Sequence, residues 1–167
     1  MAQSSKQQDF LKTYDAHSEA IYRHVFFRVY SKGRAEELVQ ETFMKTWQYL
    51  EDGHEVENIR AFLYRVANNL VIDESRKKKE QSLDALLEES DAYEPSVDGR
   101  KTTEQNILLR QVLETMHRLG DDEREILTMR YVDDMEPREI AEVLKITPNN
   151  ASVRLNRAMQ ALKKHFA

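Results

Sequence analysis

The chain has 167 residues, of which 33% are charged, and glycine and proline together contribute only seven. This composition is more typical of a helix-rich globular protein than of a β-sheet protein or a disordered chain. Because the chain has no cysteine, disulfide frameworks, cysteine zinc sites and thiol catalysis are excluded. No apolar stretch approaches the ~18 residues of a membrane span or resembles a signal peptide, so we expect no membrane insertion and a cytoplasmic location.

The net charge of -5 is unevenly distributed along the chain. Residues 80–99 hold seven acids and no basic residue, so the remainder of the chain carries a net charge of +2. Basic residues gather on either side of this segment: Arg76 to Lys79 form one run, and residues 145–167 hold five lysines and arginines without an acid. Two basic patches that flank an acidic segment are compatible with a nucleic-acid partner, despite the acidic total.

The spacing of apolar residues predicts three helices before residue 80. Breaks at residues 31–33 and 52–54, each with a glycine, separate them. The third helix carries apolar residues at spacings of four, three and four, namely Ile59, Leu63, Val66 and Leu70. The apolar residues of the first two helices are Phe10, Tyr14, Ile21, Val25 and Val29, then Leu38, Phe43, Trp47 and Leu50. Three such helices can enclose a small core.

Residues 80–103 are predicted to form a flexible acidic linker. Besides its acids, this segment holds Pro95 and Gly99 and has only a short apolar patch around Leu86. Beyond it, apolar residues from Ile107 to Leu119 predict a fourth helix. Asp122 and Glu125 then have the spacing of a capping box, which predicts the start of another helix.

The last 31 residues, from Pro137, have the pattern of a helix-turn-helix. Pro137 can open a helix at its first position, and Thr147 with Pro148 supplies the N-cap and first residue of another. Only Lys145 and Ile146 lie between the two helices. Two short helices joined by so tight a turn, the second of them basic, are typical of proteins that read duplex DNA.

The final helix carries side chains suited to reading base pairs in a major groove. Arginine bonds guanine bidentately, asparagine bonds adenine in the same way, and valine contacts the thymine methyl group. Arg154 and Lys163 would suit phosphate contacts. The helix alone is equally compatible with a solvated basic face, and the preceding helix and turn favour DNA. The polar side comprises Asn149, Ser152, Val153, Asn156 and Arg157.

Two further patterns lie in the first half of the chain. Arg65, Asn69, Asp73 and Arg76 form a polar stripe, where Asn69 or its neighbour Asn68 could bond an unstacked base. By itself this stripe is more typical of a solvated helix end. Residues 35–43 form an acidic, amphipathic helix start. Acids that complement the helix dipole, together with apolar residues that face the core, are an alternative explanation of this pattern without a binding role.

No pattern indicates catalysis or metal binding. The five histidines are scattered, and the chain contains no His-Glu-x-x-His, no phosphate-binding glycine loop and no Gly-x-Ser-x-Gly. We therefore expect neither an enzyme nor a protein with a metal or cofactor.

Two long sequence blocks resemble a known family. AEELVQETFMKTW with IRAFLYRVANNLVIDESRKKK resembles the second conserved region of extracytoplasmic-function RNA polymerase sigma factors. DEREILTMRYVDDMEPREIAEVLKIT with SVRLNRAMQALKK resembles their fourth region. The resemblance implies an all-α protein: a sigma region 2 helical bundle at residues 1–79, the acidic linker at 80–103, and a sigma region 4 helix-turn-helix at 104–167.

The resemblance also implies two contacts with core RNA polymerase. Region 2 would dock on the clamp coiled coil of the largest subunit, and the second-largest subunit would contribute its flap. Family analogy adds an anti-sigma factor as a candidate partner. The residues that match the clamp-binding positions are Glu36, Glu37, Leu38, Val39, Gln40, Glu41, Phe43 and Trp47.

By the same resemblance, two sets of residues would recognise promoter DNA. The melted minus-ten element would be captured and read by His54, Asn58, Arg60, Arg65, Asn68, Asn69, Asp73, Arg76 and Lys77. The duplex minus-thirty-five element would be read or held by Asn149, Asn150, Ser152, Val153, Arg154, Asn156, Arg157 and Lys163.

The chain departs from the family pattern around the helix-turn-helix. Lys145 stands where the turn usually has glycine, so a left-handed turn there would carry a steric cost. Glu136 stands where serine or threonine usually caps the helix, and residues 149–153 replace the family's common Gly-Thr-Val-Lys-Ser. The promoter sequence therefore cannot be taken from relatives.

Two other functions remain open on the sequence. A conventional regulator would bind duplex DNA with its helix-turn-helix and use the N-terminal helices to dimerise or to sense a signal. A helical adaptor would retain the shape of a sigma factor without promoter activity. DNA binding that depends on polymerase would distinguish a sigma factor from the conventional regulator. Polymerase binding without transcription would indicate the adaptor.

Overall fold

The computed structural model describes residues 2–80 and 103–166, and within these ranges every regular element is helical. This confirms the predicted all-α class. Most of the predicted linker lies outside the described residues. The elements are α1 (Ala2–Val29), α2 (Lys32–Glu51), α3 (Ile59–Glu80), α4 (Thr103–Arg118), α5 (Asp121–Leu127), a π-helical segment (Thr128–Val132), α6 (Pro137–Leu144) and α7 (Pro148–Phe166).

The described helices belong to two compact units, one built on α1–α3 and the other on α4–α7. In neither unit is any described helix long and apolar enough to cross a bilayer.

Local backbone chemistry sets the helix boundaries of the first unit. After α1, Tyr30 adopts a left-handed conformation with φ of 55°, and Ser31 caps α2 by accepting a hydrogen bond from the Arg34 backbone N–H at 3.3 Å. Gly53 turns the chain after α2 with φ of 92°, which a residue with a side chain rarely adopts. Asn58 then caps α3, because its side-chain oxygen accepts from the Ala61 N–H at 3.1 Å. The predicted break at residues 52–54 is confirmed, whereas the first break lies at Tyr30 and Ser31, and Lys32 and Gly33 already belong to α2.

The core of the first unit forms where α1, α2 and α3 each contact the other two. Its fully buried apolar side chains are contributed by all three helices: Ile21 and Val25, Leu38, and Leu63 and Tyr64. Burial of side chains of this size stabilises a fold by about 1.5–3 kcal/mol each.

A buried polar contact crosses this core. Arg28 of α1 donates a hydrogen bond of 2.6 Å to the side-chain oxygen of Asn68 on α3, and both side chains are almost completely buried. A buried guanidinium is tolerated only when its donors find acceptors. The pair therefore fixes how α1 and α3 are aligned.

The second unit packs α5 against α7, with α4 also in contact with α7. Its buried apolar residues come from α4, α5, the π-helical segment, the loop that follows it and both helices of the helix-turn-helix. They include Ile126, Leu127, Met129, Met135, Ile140, Ala151 and Ala158.

The start of α5 differs from the predicted capping box. Gly120 is the N-cap, without a side-chain cap, and α5 begins at Asp121, so the assignment of Asp122 as the cap is wrong. The join to α4 is held instead by Arg124, whose guanidinium donates to the carbonyls of Met116, His117 and Leu119 at 2.9, 2.8 and 3.0 Å. The Met116 carbonyl also accepts from the Leu119 backbone N–H at 3.3 Å, so Arg124 adds to the backbone hydrogen bonding at the end of α4.

The helix-turn-helix has the predicted boundaries. Pro137 is the first residue of α6, and Thr147 caps α7 by accepting from the Asn150 N–H at 3.1 Å. Between them Lys145 adopts a left-handed conformation with φ of 56°, so the turn anticipated at this residue is present. At the start of α6, the Glu139 carboxylate accepts from the Glu136 N–H at 3.2 Å, which is the half of a capping box that the third helical residue supplies.

Candidate functional site

The exposed face of α7 presents most of the residues predicted to contact the minus-thirty-five element. Ala151 and Ala158 are buried on the inner side of this 19-residue helix. On the outer side, Ser152 is half-buried, and the exposed members are Asn149, Asn150, Val153, Asn156 and Arg157. This face offers amide, guanidinium and apolar groups together, which is the chemistry of major-groove readout. Lys163 is exposed farther along α7, near its C-terminus.

Arg154 differs from the other predicted contacts on α7. Its guanidinium lies 3.3 Å from a carboxylate oxygen of Glu125 on α5. The side chain of Glu125 is only 8% exposed and that of Arg154 28% exposed. The structure therefore places Arg154 in the packing between α5 and α7, partly buried beside the exposed row that contains Asn150 and Arg157.

The predicted minus-ten residues on α3 divide into an exposed set and an inward set. Asn68 is only 3% exposed and is bonded to Arg28, so it lies in the core of the unit. Arg60 lies over the ring of Tyr64, with 5.3 Å between the guanidinium carbon and the ring centroid. Arg65 lies one turn before Asn69. The exposed residues share one face of α3 and are Asn69, Asp73, Arg76 and Lys77.

The loop before α3 is held by aromatic contacts. His54 is exposed and stacks on Tyr49 of α2, with 4.3 Å between centroids and 20° between planes, and Tyr49 also contacts Phe62 of α3 at 4.8 Å. At the other end of the loop, Asn58 is exposed and caps α3. Two residues predicted to contact DNA are thus also the anchors of the loop.

A groove of about 490 Å³ lies beside this loop, between the loop, α1 and the end of α2. Apolar and charged side chains line it together, including Phe10, Trp47, Leu50, Val56, Lys6 and Glu55. Sequence reasoning did not find the groove, because its lining residues are distant in the chain.

On α2, the predicted polymerase-binding residues divide into buried and exposed residues. Leu38, Val39 and Phe43 are buried core residues. Trp47 is half-buried and packs on Phe10, with ring centroids 4.9 Å apart. The exposed residues are Glu36, Glu37 and Gln40, with Glu41 half-exposed.

Met44 lies on the same exposed face of α2 and was not predicted. Its side chain is 70% exposed, one turn after Gln40 and Glu41. The sequence analysis did not assign Met44, although its helical spacing from Glu37 and Gln40 could have placed it on the exposed face.

An ion-pair network joins α2 to α3. The Arg34 guanidinium donates to the carboxylate of Glu74 and, at 2.5 Å, to that of Glu37. The hydrogen bond from Arg34 lowers the pKa of Glu74 below its ordinary value of 4.5, and it outweighs partial burial, which acts in the opposite direction. These bonds raise the pKa of Arg34. Sequence reasoning missed the pair because its members lie 40 positions apart.

No metal-binding arrangement is present in the described parts of the chain: three histidines or carboxylates nowhere come together there. The candidate sites are therefore surfaces of hydrogen-bonding, charged and apolar side chains.

Two family models match the chain. Residues 13–81 match Sigma-70 region 2, and residues 109–162 match Sigma-70, region 4. The first match begins within α1 and covers the rest of the three-helix unit, and the second covers α6 and most of α7, so every predicted site residue except Lys163 lies within a matched region.

Several characterised proteins are similar along nearly their whole length. The ECF RNA polymerase sigma factor SigM of Bacillus subtilis is 30% identical over 153 residues, which cover 90% of this chain and 90% of SigM. SigW of the same organism is 26% identical over 168 residues, covering 96% of this chain and 90% of SigW. SigL of Mycobacterium tuberculosis is 27% identical over 151 residues, with coverages of 90% and 84%.

Two solved structures share the fold. The sigma factor RpoE of Bartonella quintana, solved with the anti-sigma factor NepR, has a TM-score of 0.71 at 20% identity and covers 94% of this chain and 96% of its own. CnrH, solved with the cytosolic domain of CnrY, also has a TM-score of 0.71 at 22% identity, with coverages of 99% and 93%.

Proposed function

Because this chain belongs to the extracytoplasmic-function family of RNA polymerase sigma factors, we propose how its two units divide the work of that family. Sigma factors bind RNA polymerase and direct promoter-specific transcription initiation. The first unit, with proposed limits at residues 1–79, binds polymerase and the minus-ten element. The second, at residues 104–167, reads the minus-thirty-five element, and residues 80–103 link them.

The observation that carries this proposal is the outer face of α7. A helix-turn-helix places its second helix in the major groove, and α7 presents asparagines, Val153 and Arg157 on the side away from its buried alanines. Arg157 and Asn156 make the base contacts, while Lys163 holds the backbone.

The minus-ten element meets α3 and the loop before it. Asn69, Asp73, Arg76 and Lys77 form an exposed face in which basic groups attract phosphates and an amide can bond a base edge. The groove beside His54 has the volume and the aromatic lining that a base removed from its stack requires. Opening of the duplex is thereby offset by contacts made only with the single strand.

Core polymerase meets the outer face of α2. Glu36, Glu37 and Gln40 surround the exposed Met44 and offer acceptors around one apolar side chain. A central apolar contact within a charged rim is the usual composition of a protein interface. The occupant is the clamp coiled coil of the largest subunit, and the flap of the second-largest subunit binds the other unit.

The chain itself is not an enzyme in this proposal, since RNA synthesis takes place in the polymerase. It acts in the cytoplasm, where polymerase and promoter DNA are found. An anti-sigma factor is a further partner, which is supported by the solved relatives bound to NepR and to the cytosolic domain of CnrY.

Run-off transcription tests the function directly. Purified core polymerase from the source organism is incubated with genomic fragments, with and without the chain. We expect new start sites that share two upstream sequence elements only when the chain is present. Binding to polymerase without transcripts would contradict the proposal in favour of an adaptor, and sequence-specific duplex binding without polymerase would favour a conventional regulator.

A further inference from the structure

We propose that Arg154 is a positioning residue: its ion pair with the buried Glu125 fixes the orientation of α7, so that Arg157 and the exposed asparagines meet the bases. This inference rests on the proposed reading of the minus-thirty-five element. It replaces the phosphate contact that the sequence indicated for Arg154.

The stripe of α7 that faces the unit contains Arg154. Ala151 and Ala158 are the fully buried residues of α7, and Arg154 lies three positions after the first and four before the second. Residues at these spacings share one side of a helix. Arg154 therefore lies on the same side as the buried alanines, whereas Val153 and Arg157 are exposed.

The partner of Arg154 lies inside the unit. Glu125 belongs to α5, the helix against which α7 packs, and its side chain is 8% exposed. The Arg154 guanidinium lies 3.3 Å from its carboxylate oxygen. A carboxylate in such surroundings requires a cation or several donors, and loss of the Arg154 cation leaves its buried charge less well compensated.

Because the fully buried side chains of α7 are small, the ion pair is needed to restrict the orientation of α7 on α5. An alanine surface packs closely, but a methyl group does little to resist a small rotation or slide of the helix against its neighbour. A hydrogen-bonded ion pair is directional, so it restricts α7 to one orientation on α5. A displacement of about 1 Å at the helix surface is enough to weaken bidentate contacts with bases.

The charge of Arg154 is also largely balanced within the protein. Its positive charge lies beside Glu125, so its long-range attraction for a phosphate is reduced. Arg157 is exposed, and no ion pair involving it is found within the described part of the unit. The two arginines are thus suited to different tasks, although both lie on the same basic helix.

The decisive variant is Glu125→Gln, which alters a residue too deep to contact DNA. Holoenzyme binding is measured on duplex fragments with an intact or a scrambled minus-thirty-five element, over a series of salt concentrations. We expect the preference for the intact element to fall about tenfold, which corresponds to ~1.4 kcal/mol, with the salt dependence unchanged. If Arg154 only held a phosphate, removal of a nearby acid would leave the preference intact or increase the affinity.

A double-mutant cycle provides the second measurement. Arg154→Ala should lower both the unfolding temperature and the preference for the intact element, and addition of Glu125→Gln should restore part of both, because a neutral amide then replaces the buried carboxylate that has lost Arg154. Arg154→Lys, which keeps a cation near Glu125, should retain most of the preference. The inference would be overturned if Glu125→Gln does not reduce the loss of preference caused by Arg154→Ala. It would also be overturned if Arg154→Ala lowers, by about one, the slope of log affinity against log salt concentration.

Arg157→Ala is the matched comparison: it should lose less of the preference for the intact element with Gln than with Glu at position 125, because the Arg157 contact is already weakened there. Wild-type holoenzyme must initiate transcription in the same preparation. If it does not, the proposed function fails. If it does and Glu125→Gln binds like wild type, only the positioning role is wrong.

Discussion

Lys145 is held in the left-handed region, with φ of 56°, in the turn between α6 and α7. For a residue with a Cβ atom this conformation costs about 1–2 kcal/mol, and glycine avoids that cost. The greater conformational freedom of glycine in the unfolded chain offsets part of this gain. We therefore predict that Lys145→Gly raises the free energy of unfolding by ~0.5–1 kcal/mol, measured by urea denaturation with circular dichroism. Lys145→Ala should bring no such gain, and a less stable glycine variant would contradict the explanation.

Arg157 is the residue on which base reading depends most directly in our proposal. Since it is exposed, Arg157→Ala should leave the unfolding temperature unchanged. If its contact with guanine is bidentate, the variant should weaken holoenzyme binding to the minus-thirty-five element by about 1–3 kcal/mol. Equal binding by the variant and the wild type on the same fragment would remove Arg157 from the base-reading set.

At the scale of single residues, sequence reasoning identified the helices that carry exposed polar faces, but it did not identify correctly every residue on those faces. The polar residues of α3 and α7 were identified by type and spacing, and both helices do carry exposed polar faces. Asn68 and Arg154 were grouped with those faces, although each is committed to a partner on another helix. Helical spacing is local information, whereas these partners lie 40 and 29 positions away.

Among the elements, α3 depends on Asn58 at its start. We predict that Asn58→Ala lowers the free energy of unfolding of the first unit by ~1 kcal/mol, because the Ala61 N–H loses its acceptor. Asn58→Ser keeps a capping oxygen and should retain most of this stability. Fluorescence of Trp47, the only tryptophan in the chain, reports unfolding of this unit.

The same pair of variants separates capping from DNA reading at Asn58. A serine that preserves stability but lowers transcription would assign the amide group to promoter recognition. A serine variant with normal stability and normal transcription would limit Asn58 to capping.

The link between α2 and α3 should make the first unit sensitive to acid. The pKa of Glu74 is lower in the folded protein than its ordinary value of 4.5. Its contribution to stability is therefore complete above about pH 4.5 and is lost as the pH falls through the lower, folded value. We predict that Glu74→Gln is less stable than wild type at pH 7, and that this difference shrinks below pH 4.5. Urea denaturation at several pH values measures it, and a difference independent of pH would contradict the ion pair as its cause.

Most helix boundaries could be predicted because they depend on local chemistry. Ser31, Pro137 and Thr147 all mark helix starts in the structure. The start of α5 could not be predicted in this way, since Arg124 stabilises the end of α4 through carbonyls that precede it. Nor did any pattern indicate the π-helical segment after α5, whose extra residue per turn depends on surrounding packing.

For the molecule as a whole, the two DNA-binding faces lie on separate compact units. We predict that the free chain binds duplex promoter DNA weakly, and that core polymerase greatly increases the affinity by holding both units for simultaneous binding. Titration of a labelled promoter fragment, with and without core polymerase, measures the difference. Tight sequence-specific binding by the free chain would contradict this explanation.

At this scale, charge and apolar spacing were sufficient to predict two helical parts around an acidic segment, and the family matches fall on those two parts. The pairing of helices within each part could not be predicted, because it depends on buried contacts such as Ile21 with its neighbours on α2 and α3. The groove beside His54 was missed for the same reason, since three elements form it.

The two polar links that close the first unit, Arg28 to Asn68 and Arg34 to Glu74, each join positions 40 residues apart. On the ribosome, each acceptor is synthesised 40 residues after its arginine. At roughly 5–20 residues per second, the delay is about 2–8 s. The nascent first unit must therefore pass through a period in which α1 and α2 are exposed without α3, and a chaperone that recognises apolar helices would find its binding site open during those seconds.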